Sequence, residues 1–177
     1  ATIAAERLRI LAGLIRTTND WDLAEDSVQD AIERALMRWP EDGIPDNPAA
    51  WLTTTAYRRA LDVLRRRRVE GQKLQEVAAM ASYRGSSGSG LDPYADVYRD
   101  DQLRLVFTCC HPALAREAQV ALTLRLVCGL TTAEIAQAFL ISEPTMAARV
   151  TRAKKKISAA RIAYRVPGEA ELPDRLR

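Results

Sequence analysis

Apolar residues recur at three- and four-residue spacing along almost the whole chain, and strand-like alternation is nearly absent. Leu8, Leu11, Ala12 and Ile15 stand at i, i+3, i+4 and i+7, which predicts a first helix over about 4–17. Asp22-Leu-Ala-Glu25 has the form of a capping box with Asp in the Ser/Thr place. It opens a second helix that runs to Trp39 and is stopped by Pro40 and Gly43. Ala24, Val28, Ala31, Ile32, Ala35 and Trp39 make its core stripe, while Asp26, Gln29, Asp30 and Glu33 gather on the opposite side. Asn47-Pro48, an N-cap followed by proline at the first helical position, starts a third helix through Arg68. Its buried face is Leu52, Ala56, Ala60, Val63 and Leu64, and a weaker helix is expected at about 70–82.

Gly85-Ser-Ser-Gly-Ser-Gly90 carries no apolar group, so it cannot join a core and reads as a flexible tether, natural or engineered. Beyond it, Asp100 to Cys109 and Ala115 to Cys128 read as two helices joined at His111-Pro112. Thr131-Thr-Ala-Glu134 is a second capping box, opening a short helix to Phe139. Ser142 caps a final helix reaching about Ile162. Short helix, turn, longer basic helix is the helix-turn-helix pattern. The fold class that follows is all-α, with two small helical domains on a flexible linker.

Composition narrows the class. The 177 residues are 47% hydrophobic and 28% charged, which is globular rather than disordered. The most apolar stretch, Val120 to Leu130, is interrupted by Arg125 and falls short of the roughly 18 residues of a membrane span. Glu6, Arg7 and Arg9 stand where the apolar region of a signal peptide would be. Three cysteines, two of them adjacent, make no disulfide framework. These features together predict a soluble cytoplasmic protein that does not engage a membrane.

Net charge is +3, but its distribution says more. Residues 1–57 hold five arginines against ten carboxylates, a local −5. Residues 58–73 come to +5, residues 74–141 to −2, residues 142–161 to +5, and the remainder to zero. Two basic blocks on predicted helices suggest two separate contacts with a polyanion.

On the last helix Met146, Val150, Ala153 and Ile157 form an apolar seam. Thr145, Ala148, Arg149, Arg152, Lys155 and Lys156 take a different face. One side can pack while the other enters a major groove, where Arg and Thr contact base edges and the late lysines suit phosphates. The plainer alternative is a solvated basic face. On the third helix Trp51 shares a face with Arg58, Asp62, Arg65 and Arg66. Its indole could stack on an unpaired base beside the guanidiniums, or pack on the neighbouring helix. The acidic side of the second helix repels DNA, so it is either solvated or meets a basic protein partner. Cys109, Cys110, His111 and Cys128 invite a zinc or nucleophile reading. Adjacent cysteines rarely converge on one metal, however, and the only histidine follows directly in sequence. Small buried thiols packing a helix end are the expectation, with no metal, no cofactor and no catalytic residue.

The segments Asp-Leu-Ala-Glu-Asp-Ser-Val-Gln-Asp-Ala-Ile-Glu-Arg-Ala-Leu (22–36), Pro-Ala-Ala-Trp-Leu (48–52) and Arg-Arg-Ala-Leu-Asp-Val-Leu-Arg-Arg-Arg-Arg (58–68) resemble the sigma-2 domain of ECF-type bacterial sigma factors. Residues 130–157 are similar to their sigma-4 helix-turn-helix. Phe-Thr-Cys-Cys-His-Pro (107–112) and Arg-Ile-Ala-Tyr-Arg-Val-Pro (161–167) resemble one subgroup, whose members carry a long additional C-terminal domain. The resemblance implies a sigma-2-like domain at 1–69, a linker at 70–98, a sigma-4-like domain at 99–165 and a tail at 166–177.

It also implies partners. Asp26, Gln29, Asp30 and Glu33 would bind the clamp of the largest subunit of core RNA polymerase, with the flap of the second-largest subunit as a further contact. Asn47, Trp51, Arg58, Asp62, Arg65 and Arg66 would open the −10 promoter element and capture a flipped base. Thr145, Ala148, Arg149, Thr151, Arg152, Lys155 and Lys156 would read the −35 duplex. An anti-sigma factor or an attached C-terminal domain would regulate it. Three positions depart from the family pattern: Arg58 where Asn is frequent, Ala147 where a basic residue is frequent, and Leu140 where the turn commonly holds Gly. Two other functions remain open at this point, a free-standing helix-turn-helix regulator and a thiol or zinc protein.

Overall fold

Several helix ends lie away from where the sequence pattern puts them. The computed structural model describes residues 2–69 and 95–175, and among these there are helices and turns but no strand. The weaker helix at about 70–82 and the Gly85–Gly90 tether lie outside the described residues. The chain divides into two units, Ala1–Tyr98 and Arg99–Arg177.

In the first unit α1 (Thr2–Thr18), α2 (Trp21–Asp42) and α3 (Pro48–Val69) each pack against the other two. The spacing of α1 predicted one apolar stripe, yet every residue from Ile10 to Ile15 is buried. Two neighbouring helices cover two sides of α1, so Ile10 and Leu14 join the expected Leu11 and Ile15. Each such side chain contributes roughly 1.5–3 kcal/mol on burial.

The start of α2 corrects the expected capping box. Asn19 takes φ 51 and ends α1 with its N–H on the Ile15 carbonyl at 2.8 Å. The N-cap is then Asp20, not Asp22, and its carboxylate accepts from the Leu23 N–H at 2.9 Å. Shifting the cap back two residues places Trp21 in the first turn, where it is buried. The second oxygen of Asp20 meets Arg67 near the end of α3 at 2.6 Å. One arginine of the first basic block is therefore a tie within the bundle.

α2 also outlasts Pro40. Proline cannot donate to the carbonyl one turn back, but Pro40 is exposed, and the helix gives up that bond on the solvent side. It ends at Asp42, where Gly43 with φ 83 donates to the Trp39 carbonyl at 3.1 Å. The predicted start of α3 holds: the Asn47 side chain accepts from the Ala50 N–H at 2.9 Å, with Pro48 in the first turn.

In the second unit α4 (Ala95–Cys109) leads through Cys110–Ala115 to α5 (Arg116–Leu122), which continues as a π-helical turn over Thr123–Val127. One long helix to Cys128 was expected; instead its last turn widens to an i→i−5 bond, Cys128 N–H to the Thr123 carbonyl at 3.1 Å. α6 (Thr132–Ala138) and α7 (Glu143–Ala159) follow, and both α5 and α6 pack on α7. Leu122, Leu126, Ile135 and Met146 are fully buried there.

The Thr131–Glu134 capping box forms as predicted. The Thr131 hydroxyl accepts from the Glu134 N–H at 3.2 Å, and the Glu134 carboxylate accepts from the Thr131 N–H at 2.7 Å. The Thr131 N–H, and after it the Thr131 hydroxyl donating at 2.8 Å, hold the Glu134 carboxyl below its ordinary pKa. α7 stops at Ala159 rather than Ile162, because Arg161 at φ 49 lets the Ile162 N–H close on the Ile157 carbonyl at 3.0 Å. The chain then returns to α4. Tyr164 donates to the Asp101 carbonyl at 3.1 Å, Pro167 is buried, and Arg175, in a last helical turn α8 (Leu172–Arg175), donates to the Phe107 carbonyl at 2.7 Å.

The turn between α6 and α7 carries a strain that can be relieved. Leu140 sits at φ 53, with its N–H on the Gln137 carbonyl at 3.1 Å and the next N–H on the Ala136 carbonyl at 3.0 Å. This is a left-handed helix stop where glycine is the usual residue. Its side chain is 93% exposed, so nothing in packing opposes removing it. Leu140→Gly is expected to stabilise the second unit by about 1 kcal/mol, raising its Tm by roughly 5 °C. An unchanged or lower Tm in a calorimetric scan would count against the strain.

Candidate nucleic-acid interface

α7 presents the two sides its sequence foretold. Met146, Val150, Ala153 and Ile157 are buried, and Thr145, Ala148, Thr151, Arg152, Lys155 and Lys156 are exposed. Arg149 differs from them. It lies at the border of the buried seam, is half-buried, and holds its guanidinium 5.6 Å from the centroid of the Phe139 ring. These residues thus form two rows rather than one face. Ala148, Thr151 and Lys155 stand outermost, and Arg149, Arg152 and Lys156 run down one flank. That flank borders an open groove of about 280 Å³, whose other wall is Leu114, Ala115, Glu117 and Ala118 at the start of α5.

On α3 Trp51 has the packing partner that one of its two readings expected. The indole is half-buried and meets Trp39 of α2 edge-on, centroids 5.6 Å apart and planes at 65°. Arg58, Asp62, Arg65 and Arg66 are exposed, with Arg65 3.8 Å from Asp62. The Asn47 side-chain oxygen is occupied as the N-cap of α3. Beside it the α2–α3 loop exposes Ile44, 70% accessible, which the spacing of apolar residues did not single out.

The acidic side of α2 is not uniform either. Asp26, Gln29 and Glu33 are exposed, Gln29 donating to Glu33 at 3.0 Å. Asp30 is half-buried and is held by Arg34 at 3.0 Å and, more loosely, by Arg59 of α3 at 4.0 Å. The same side continues toward the C-terminus as Leu36 and Met37, 62% and 68% exposed. A signal for these two was present in the sequence, since they fall outside the core stripe of an otherwise amphipathic helix.

The cysteines do not share one environment: Cys109 is buried, Cys110 half-buried against the Thr123 hydroxyl at 3.6 Å, and Cys128 exposed. Among the described residues no three His, Cys, Asp or Glu side chains are grouped to hold a metal ion. No helix among them is long and apolar enough to cross a membrane.

His111 accepts the Ala113 N–H on Nδ1 at 3.1 Å. Burial, and after it the nearby Arg175 cation, lower its pKa from 6.5 against a smaller opposing pull from Glu171. The folded state therefore prefers the neutral ring. The stability this supplies is complete above pH 6.5 and is lost as pH falls from there through the lowered folded value. An NMR titration should place the His111 midpoint below that of free histidine; a midpoint at or above 6.5 would contradict the arrangement.

Comparison with known proteins matches both units. The family model described as Sigma-70 region 2 matches residues 3–70, and the one described as Sigma-70, region 4 matches residues 104–157. An uncharacterized protein of Rhizobium meliloti (strain 1021) is 39% identical over 176 residues, covering 98% of this chain and 41% of that protein. The probable ECF RNA polymerase sigma factor SigI of Mycobacterium tuberculosis is 30% identical over 162 residues, 92% of this chain and 55% of that protein, in two strains. The chain thus spans about half the length of the curated relatives it matches.

Proposed function

Because the chain belongs to the ECF-type sigma factors, with region 2 and region 4 both present, we propose that it is a promoter-specificity subunit of RNA polymerase. It binds core polymerase and holds two promoter elements, while polymerase carries out the chemistry. The observation that carries this reading is the pairing, in one chain, of an exposed acidic face on α2 with an exposed basic face on α7. A basic face alone serves any duplex-binding regulator. An acidic face repels DNA and suits a basic protein partner.

In this reading Asp26, Gln29 and Glu33 meet the polymerase clamp, and Leu36 and Met37 extend the contact with apolar surface. Asp30 supports that face from within, through Arg34 and Arg59. Asn47, Trp51, Arg58, Asp62, Arg65 and Arg66, with the loop at Ile44, face the opened −10 strand. Thr145, Ala148, Arg149, Thr151 and Arg152 read the −35 duplex, and Lys155 and Lys156 hold its phosphates. The polymerase flap meets the second unit. Two modest sites on one tether act together because binding of either raises the local concentration of the other.

Run-off transcription with purified core polymerase on a randomised promoter pool tests the proposal. Discrete start sites should appear only when the chain is added. Transcripts indifferent to the chain, with no co-elution of chain and polymerase, would overturn it. Duplex binding without any polymerase dependence would favour the free-standing regulator.

A further inference from the structure

We propose that Phe139 is a positioning residue for promoter reading: its ring fixes the orientation of the Arg149 guanidinium and so sharpens discrimination at the base pair Arg149 meets. The inference rests on the reading of α7 as the −35 contact. Several other arginines of this chain are held by hydrogen-bonded carboxylates: Arg9 by Glu6, Arg67 by Asp20, Arg104 by Asp101. Each of those bonds consumes guanidinium N–H donors. Arg149 is half-buried and has no ion pair among the described residues, yet it is not loose, because it lies over the half-buried Phe139 ring at 5.6 Å.

A ring attracts a guanidinium through its quadrupole and, unlike a carboxylate, sets no strong acceptor against its N–H donors. Those donors are what a guanine presents its O6 and N7 to. The contact therefore restricts the side chain before DNA arrives without using the donors DNA needs. Phe139 is suited to this because it is the C-cap of α6, with its N–H on the Ile135 carbonyl at 3.0 Å. The ring's backbone is thus anchored to the helix that packs on α7. Lysine at 149 would lose both the planar fork and the stacking.

The test uses the full chain with core polymerase and a promoter pool randomised across the −35 element, its transcripts sequenced. Arg149→Ala should relax preference at one position by roughly tenfold. Phe139→Leu, apolar but without a quadrupole, should relax that same position by about two- to fivefold and leave the others unchanged. Phe139→Tyr should restore it. In the protein alone, the Arg149 side-chain protons should lie upfield of their positions in F139L, through the ring current.

Wild-type preference in F139L, where Arg149→Ala has lost it, would overturn the positioning role and spare the sigma reading. Equal loss at every position would likewise assign Phe139 to folding only. A wild-type chain that directs no transcription would overturn the sigma reading and this inference with it, while the ring-current shift would still report whether the ring and guanidinium meet.

Discussion

Reversing two exposed charges on α2, Asp26→Lys with Glu33→Lys, is expected to abolish co-elution of the chain with core polymerase. Like charges brought face to face across an interface cost several kcal/mol, so affinity should fall on the order of a hundredfold or more. Both side chains are exposed and outside the buried stripe of Ala24, Val28, Ala31 and Ala35, so the bundle should melt as the wild type does. Asp30 would be a poorer choice. It lies 3.0 Å from Arg34 and 4.0 Å from Arg59, and a lysine there would set three cations together, confusing lost binding with lost folding. Size-exclusion chromatography beside a thermal melt separates the two effects. Undiminished co-elution with a normal melt would remove the acidic face from the polymerase contact.

Truncating the second unit's core should have an effect of comparable size through a different cause. Leu122 closes α5, is 0% exposed, and belongs to the helix that packs on α7. Leu122→Ala deletes buried methyl groups and leaves a cavity, at a cost of about 3–5 kcal/mol. A unit of this size has a total stability of the same order, so most molecules should be unfolded there at 37 °C. Sequence-specific duplex binding would then fall with the folded fraction, although every cation of α7 is still present. Far-UV circular dichroism should show a lost or early transition for the second unit, with the transition of α1–α3 retained. A single unshifted melt would mean that Leu122 is not the packing centre its burial indicates.

The two predictions mark a boundary that runs through the whole molecule. Periodicity is a local property: the turn of a helix places i, i+3, i+4 and i+7 on one side whatever the rest of the chain does. For that reason the four seam residues of α7, the core stripe of α2 and the caps at Asn47, Thr131 and Ser142 were readable before any coordinates. The acidic and basic sides followed from the same geometry, and with the ordered motifs they pointed to the family that comparison then matched.

What a helix meets is not local, and several revisions came from there. α1 buries two sides because two helices flank it. Asp20 caps α2 in place of Asp22, and its other oxygen meets Arg67, forty-seven residues away along the chain. Trp51 turns to Trp39. Asp30 has Arg59 of α3 4.0 Å away, and Arg149 leaves the outer face of α7 for the Phe139 ring. Spacing assigns a residue to a side of its helix; only the partner that arrives at that side decides whether it is core, tie or contact.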